Sequence, residues 1–314
     1  MSDAPVLSIV TPVYRSDAIV PEFVRRAIAG ALQVTDDFEL LLVEDGSPDT
    51  SWDHIVEACA CDPRVKGVQL SRNFGQQPAI TAGLSYARGR HVVVMDSDLQ
   101  DDPLYIADLY RKALEGYDIV FARKRVRRYN LVRNLATRFY YALFRWLASV
   151  DYDQQIGAYS IITRRVVDAF LEFGDYRRGY VIVLGWLGFK RAHVDVEHHE
   201  RPVGKSTYTT LALITHAVSL AMTYSDKPLR LSIYGGLFLS FLSFLAGVWL
   251  AINYFTSNVG QLALGWTSII ISLLFLSGLT LTSLGVVGLY IGRIFEQVKE
   301  RPIFVVRDTR NMGA

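Results

Sequence analysis

The chain has 314 residues, 51% hydrophobic and 20% charged, with a formal net charge of +2, so it can build one large core or two smaller ones and is not a disordered chain. The near-neutral charge argues against a nucleic-acid partner, and two cysteines, Cys59 and Cys61, are too few for a disulfide framework. Their Cys-x-Cys spacing matches no common metal-ligand pattern, so both are expected as buried, reduced packing residues.

The opening residues MSDAPVLSIVTPVY have no basic start followed by a long apolar run. That predicts no cleaved signal peptide and a cytoplasmic front half. Apolar runs at 6–13, 38–47, 65–71, 91–98 and 117–123 have strand length. They alternate with helical patterns at 20–32, 50–61, 76–87 and 104–115. Continuous apolar strands separated by helices predict an α/β fold with a mainly parallel sheet covered on both faces. In such sheets ligands bind beyond the carboxyl ends of the strands. Pro12 to Tyr14 follow the first strand, Glu44 to Ser47 the second, and Arg72 and Asn73 the third. No G-x-G-x-x-G follows the first strand, which disfavours an ordinary dinucleotide fold.

The fourth strand runs into a knot of carboxylates, HVVVMDSDLQDDP, with Asp96, Asp98, Asp101 and Asp102 within seven positions. Charges that close raise each other's pKa unless something positive neutralises them. A hard divalent cation, Mg²⁺ or Mn²⁺, would do so, bridging one or two carboxylates to substrate phosphates. Asp96, Asp98 and Gln100 alternate along an extended segment and are the expected metal–diphosphate ligands. Asp101 and Asp102 precede Pro103 and are expected instead to cap the following helix.

Residues 123–149 are rich in arginine and aromatics. Read as a helix from 131, Val132, Leu135, Phe139, Leu143, Trp146 and Leu147 share one face, with Arg138 and Arg145 on one border and Arg133 and Thr137 on the other. That pattern predicts a helix lying in the membrane interface; packing in the protein core is the alternative. Residues 206–226 form a second, milder amphipathic stretch with the same two readings. His198, His199 and Glu200 do not make a metal site, because adjacent residues of a strand point to opposite faces. His54, His91 and His216 are isolated.

From Leu231 to Gly292 there is no Asp, Glu, Lys or Arg. Two runs, 231–255 and 266–292, are each long enough to cross a bilayer, and TSNVGQLALG separates them. Lys227 and Arg230 precede the first; Arg293, Lys299, Arg301, Arg307 and Arg310 follow the second; the connecting loop has no basic residue. The positive-inside rule then predicts both ends in the cytoplasm.

Taken in order, SIVTPVY, LLVEDGSPDTS, SRNFGQQPAITAGLSYARG, VVVMDSDLQDDP and ERPVGKSTY resemble a family-two glycosyltransferase of GT-A fold, in the branch that loads a sugar onto a polyprenyl phosphate, such as bacterial undecaprenyl-phosphate glucosyltransferases and dolichyl-phosphate mannose synthases. The resemblance covers about residues 6–230. It implies a nucleotide-sugar site at Pro12, Tyr14, Asp45, Gly46, Arg72, Asn73 and Asp96, with Asp45 and nearby backbone on the base or ribose. It also implies that Asp96, Asp98 and Gln100 hold Mg²⁺ or Mn²⁺ and that Arg201 reaches the donor phosphates, with Asp96, Asp98 and Arg201 as the catalytic set. Arg123, Arg133, Thr137, Lys205 and Ser206 are the expected lipid-phosphate contacts. The expected donor is UDP-glucose, the acceptor a polyprenyl phosphate, and the bacterial members suggest a homo-oligomer, possibly a tetramer, in the inner membrane. Two departures stand out: Glu44-Asp45-Gly46-Ser47 replaces Asp-Asp-Gly-Ser, and DQQIGAYS at 153–160 replaces a segment that usually carries an aromatic and an arginine near the sugar.

A phosphate monoester carries about −1.5 to −2 charge at pH 7, so it can attack an anomeric carbon without a strong base, whereas a sugar hydroxyl needs one. Direct displacement with inversion is therefore expected. Four segments follow: a GT-A domain at 1–204, a juxtamembrane stretch at 205–230, a transmembrane hairpin at 231–294 and a cytoplasmic basic tail at 295–314. A processive synthase would carry Gln-x-x-Arg-Trp and more spans, and neither occurs here. A catalytically silent scaffold is the remaining alternative, and the intact Asp96, Asp98, Gln100 and Arg201 argue against it.

Overall fold

The computed structural model describes residues 4–124, 155–175, 178–197, 227–256 and 266–312. The chain divides into two compact units, one of Met1–Asn134, Asp151–Thr207 and Arg301–Ala314, the other of Leu135–Val150 and Tyr208–Glu300.

In the first unit the described strands form one sheet in the order β7-β5-β6-β4-β1-β2-β3-β8. These are β1 (Leu7–Val13), β2 (Phe38–Glu44), β3 (Val65–Leu70), β4 (His91–Val94), β5 (Ile119–Lys124), β6 (Ile156–Thr163), β7 (Arg191–Val196) and β8 (Val306–Arg310). β1 lies parallel to β2 and β4, β2 to β3, and β5 to β7. β6 is inserted antiparallel between β4 and β5, which leaves those two pointing the same way. The expected mainly parallel α/β sheet is present, with antiparallel pairings at β6 and β8.

Alternation along the strands supplies two apolar faces. Leu7, Ile9, Leu40, Leu42 and Val93 pack on one face with Phe23, Ile55 and Leu109 of α1 (Val20–Leu32), α2 (Ser51–Cys61) and α4 (Ile106–Leu114). Val10, Leu41, Val92 and Val94 face Ile80, Phe170 and Val183 of α3 (Gln76–Tyr86), α5 (Arg164–Glu172) and α6 (Tyr180–Trp186). α1 starts with Pro21 in its first turn and buries Phe23, Val24, Ala27 and Ala31, a spacing that keeps one face against the sheet. Helix positions predicted from periodicity agree with these elements to within about two residues.

At the amino ends of the strands, Glu39 is buried and fully engaged. It accepts hydrogen bonds from Ser8 Oγ (2.5 Å), Lys66 Nζ (2.5 Å) and the Arg88 amide (2.6 Å). A buried carboxylate persists only with such partners, and here they fasten the turn that leads into β4.

Two expectations change. Cys59 is buried and its thiol is pushed up to about 11 by that burial, but Cys61 is exposed, because the helix carries it past the face that meets the sheet. The segment 295–314 is no simple tail: helix continues to Val298, and Val306–Arg310 pair antiparallel with β3 as the edge strand β8. Phe304, Val306 and Met312 pack against Val43, Val68, Leu70, Ala79 and Ala82. The Asn311 amide donates to the Cys59 and Val65 carbonyls at 2.7 and 2.9 Å. The open β3 edge offers this segment its backbone hydrogen bonds, and Val306 with the flanking Phe304 and Met312 supplies the apolar contact that holds it there.

In the second unit the described elements are α7 (Lys227–Thr256) and α8 (Trp266–Val298). Ser232 Oγ of α7 donates to Ser283 Oγ of α8 at 3.1 Å. Among the described residues, Phe275–Val298 is long and apolar enough to cross a membrane, and Ser232–Leu245 is a shorter apolar stretch. The two predicted amphipathic helices, 131–147 and 206–226, lie outside the described residues.

Candidate active site

The topology places the carboxyl ends of β1, β2, β3, β4, β5 and β7 along one edge, joined there by the first residues of β6. Pro12 and Tyr14, Asp45 and Gly46, Arg72 and Asn73, and Asp96, Asp98 and Gln100 therefore come together from four different strand ends. Arg123 reaches the same edge on β5. Arg133, Thr137, Arg201, Lys205 and Ser206 lie outside the described residues, as do His198, His199 and Glu200.

The β1 and β2 ends are tied to each other. The Asp45 amide donates to the Val13 carbonyl at 2.9 Å, and the Arg15 amide donates to Ser47 Oγ at 3.0 Å. Glu44 is buried, and Oε1 of its side chain accepts the Ser47 amide. Tyr14 is left 41% exposed, with the Arg15 guanidinium 5.4 Å from its ring centre. An aromatic face open to solvent beside a cation can take the flat face of a base.

Asp45 does more than the motif suggested. Its Oδ1 accepts the Phe74 amide at 2.7 Å and its Oδ2 the Gly75 amide at 2.8 Å. Burial raises its carboxyl above the ordinary range, and those two amides oppose the rise. Gly75 sits at φ 99°, ψ 163°, a conformation essentially restricted to glycine. Asp45 thus holds the end of the 72–75 loop in a shape that depends on the glycine at 75. The Arg72 guanidinium lies 4.2 Å from the Phe74 ring centre on the exposed side of the same loop.

Past β4, Asp96 and Asp98 turn toward the edge while Ser97 turns inward, 3.5 Å from Ser16 Oγ. Asp98 Oδ1 accepts the Gln100 amide at 3.1 Å, and Leu99 adopts φ 57°. Asp96 Oδ1 accepts Gln76 Nε2 at 2.6 Å. Burial, and next the Asp98 charge, push the Asp96 carboxyl up to about 6, while the Gln76 hydrogen bond pulls against them. Asp102 caps the turn at Pro103, accepting the Leu104 amide at 3.1 Å, as expected. Asp101 does not cap; it is buried with Lys124 Nζ 3.7 Å away, because the turn before Pro103 points it back toward β5.

Among the described residues, no three His, Cys, Asp or Glu side chains are arranged to hold an ion by themselves. Mg²⁺ and Mn²⁺ do not need that, since one or two carboxylates with substrate phosphates suffice. Two neighbouring acidic side chains, one with its pKa raised by burial and then by the charge of the other, fit such an ion. A cation held through Asp96 would need that carboxyl deprotonated. Affinity for Mn²⁺ should therefore hold at neutral pH and fall as pH drops through about 6. The expected limiting slope is roughly ten-fold per pH unit for this one proton, measured by titrating free Mn²⁺ by electron paramagnetic resonance.

Sequence reasoning overlooked Gln76 and Lys124. Gln76 stands inside the SRNFGQQ segment and opens α3 on the ligand edge; Lys124 is the strand neighbour of Arg123 and therefore projects to the other face of β5. Arg123 itself donates from Nε to Asp195 Oδ1 at 2.6 Å, linking β5 to β7.

Relatives of known family share nearly the whole chain. The Bacillus subtilis (strain 168) glycosyltransferase YkcC is 36% identical over 305 residues, 96% of this chain and 93% of its own. The undecaprenyl-phosphate 4-deoxy-4-formamido-L-arabinose transferase of Shewanella sediminis (strain HAW-EB3) is 36% identical over 310 residues, covering 96% and 92%. The SfII prophage-derived bactoprenol glucosyl transferase of Shigella flexneri is 30% identical over 302 residues, covering 96% and 97%. The crystal structure of glucosyl-3-phosphoglycerate synthase from Mycobacterium tuberculosis with phosphoglyceric acid superposes with a TM-score of 0.50 at 19% identity, over 70% of this chain and 79% of that one, a likeness of fold. The sheet and its flanking helices are the GT-A fold. The profile of glycosyl transferase family 2 matches residues 8–168, from β1 into α5 and across the Tyr14, Asp45, Asp96 and Asp98 cluster, and the chain belongs to that family.

Proposed function

We propose that the chain is a membrane-anchored, inverting, metal-dependent glycosyltransferase that moves a hexose, glucose in the first instance, from a UDP-linked donor to undecaprenyl phosphate at the cytoplasmic membrane face. The observation that carries this reading is the single edge on which Tyr14, Asp45, Asp96 and Asp98 converge. An open aromatic face, a backbone-bonded carboxylate loop and a pair of acidic side chains suit the base, sugar and diphosphate of one donor. The acceptor class rests on the names of the Shewanella and Shigella relatives, which align over nearly the full chain.

In the transfer, an oxygen of the acceptor phosphate attacks the anomeric carbon. The bond from that carbon to the donor diphosphate breaks, and its electron pair departs with the nucleoside diphosphate. Asp96 and Asp98 would hold the divalent ion, which when bound neutralises charge on the departing diphosphate. Tyr14 and the loop carrying Arg72 position the nucleotide. Arg201, Arg133, Thr137, Lys205 and Ser206 are the proposed phosphate contacts beyond the described residues. Lys124, near Asp101, balances the acidic cluster.

Anchoring rests on α7 and α8. Exposed Phe238, Phe241, Phe244, Leu273, Leu281 and Leu284, with no charged residue from Leu231 to Gly292, suit a lipid solvent. The basic residues flanking the pair support an orientation with both ends in the cytoplasm. Gly235, Gly236, Gly278, Gly285 and Gly288 have open space where a Cβ would stand, which favours close helix packing in a homo-oligomer.

The test is incubation of the purified full-length protein with undecaprenyl phosphate, Mg²⁺ or Mn²⁺ and a panel of radiolabelled nucleotide sugars. Label should enter the lipid phase from UDP-glucose and only when metal is present. Transfer from a different donor would correct the sugar; no transfer from any donor would overturn the acceptor.

A further inference from the structure

Asp96, one of the two carboxylates proposed to hold the ion, is itself held by a side chain from another element. Its partner, Gln76, is the first residue of α3 and is exposed, so packing does not place it there. Its location follows from the residues before it. Asp45 fastens the Phe74 and Gly75 amides at 2.7 and 2.8 Å, and Gly75 makes the turn that delivers Gln76 to the β4 edge. Next to it, Gln77 Oε1 accepts the Tyr180 amide at 2.7 Å, which pins the first turn of α3 from its other side. The 2.6 Å bond from Gln76 Nε2 to Asp96 Oδ1 thus connects two elements each fixed independently.

We propose that Gln76 is a positioning residue for the ion-binding carboxylate: it fixes the Asp96 rotamer with Oδ1 engaged, leaving Oδ2 as the oxygen presented to the cation. This rests on the reading that Asp96 and Asp98 hold the ion. The chemistry of the side chain supports the assignment. An ionised carboxylate is an acceptor only, so it is the nitrogen of the amide that faces it. A neutral donor lowers the electrostatic cost of bringing Asp96, Asp98 and Asp101 together without competing with the cation, as a lysine would. A glutamate there would add a fourth carboxylate to the cluster. Partners that orient a metal ligand from behind typically influence affinity strongly, and their loss costs about 10–100-fold.

The experiment compares Mn²⁺ affinity in the presence of saturating UDP, corrected for Mn²⁺ bound by UDP alone, by electron paramagnetic resonance of the free ion at about pH 8, for wild type, Gln76→Met, Gln76→Leu and Asp98→Asn. Both Gln76 variants keep side-chain bulk and helix propensity but lack the donor. The expected result is a Mn²⁺ dissociation constant raised by about 10–100-fold in both, with the melting temperature in EDTA unchanged. Transfer assays should then show a raised Mn²⁺ requirement, while kcat at saturating Mn²⁺ returns close to that of wild type. A purely structural role would instead lower the melting temperature and leave kcat depressed at every Mn²⁺ concentration, and that result overturns the proposal. So does Mn²⁺ affinity equal to wild type in both Gln76 variants while Asp98→Asn loses binding; the ion site then stands and this inference alone fails. If Asp98→Asn binds Mn²⁺ as wild type does, or wild type binds none, the ion reading fails and takes the inference with it.

Discussion

Replacing Asp98 with asparagine should lower sugar transfer by about 10³-fold, equivalent to about 4 kcal/mol of lost transition-state stabilisation. The choice of asparagine separates two roles. Asp98 Oδ1 accepts the Gln100 amide at 3.1 Å, and the asparagine oxygen can do the same, so the 98–100 turn survives while the negative charge is gone. If the charge matters because it holds a cation on the donor diphosphate, Asp98→Asn and Asp98→Ala should be about equally inactive. Substrate should still bind, since the proposed base and ribose contacts lie on β1, β2 and the 72–75 loop. A different outcome, in which asparagine retains activity and alanine does not, would mean that Asp98 shapes the turn and does not bind an ion. Initial rates at several Mn²⁺ concentrations, with nucleotide binding measured in parallel, distinguish the two.

The second large effect is expected from Gly46→Ala. Gly46 has φ 61°, and a Cβ there would overlap the Arg72 carbonyl carbon and the Asn73 nitrogen. The backbone after β2 lies directly against the backbone after β3, with no side chain between them to yield. Strain at this φ and displacement of the 72–73 peptide should together cost about 2–5 kcal/mol. Displacement would also pull the Phe74 and Gly75 amides away from Asp45, so nucleotide affinity should fall along with stability. Gly75→Ala is the informative comparison. Its φ is 99°, but nothing lies within 4 Å of the added methyl, so it carries conformational strain without collision and should be the milder change. Denaturant melts of both variants in the same detergent check the order. Equal losses would show that the close approach at Gly46 relaxes freely.

The Asp96 titration and the Gln76 variants probe one electrostatic situation from two directions. The acidic cluster needs compensation; a proton on Asp96 near pH 6, the neutral Gln76 donor and the charged Lys124 each supply part of it. A divalent ion with its diphosphate would supply the rest, and metal affinity should respond to pH and to the Gln76 variants in the directions given above.

Much of the molecule was legible in the residues themselves. Strand runs alternating with amphipathic helices predicted the α/β layers, because a two-faced parallel sheet needs continuous apolar strands and a helix needs one apolar stripe. The strand ends predicted the ligand edge for a similar reason: parallel connections return every strand in the same direction, so residues far apart in sequence, such as Tyr14, Asp45 and Asp96, must end on one side. Other features depended on packing that no local pattern encodes. Whether Val306–Arg310 remains a basic tail or becomes a strand depends on β3 having an open edge beside it. That Arg123 is held by Asp195, and that Lys124 approaches Asp101, follows from the register of β5 against β6 and β7. The engagement of Asp45 with the Phe74 and Gly75 amides, and of Gln76 with Asp96, spans 29, 30 and 20 residues. Contacts of that span exist only once the sheet order is set. Residue types and their spacing thus determined the layers, the ligand edge and the acidic pair, while tertiary packing decided which neighbours hold those acids in place, because hydrogen bonds between strand ends are fixed by topology and register and not by composition.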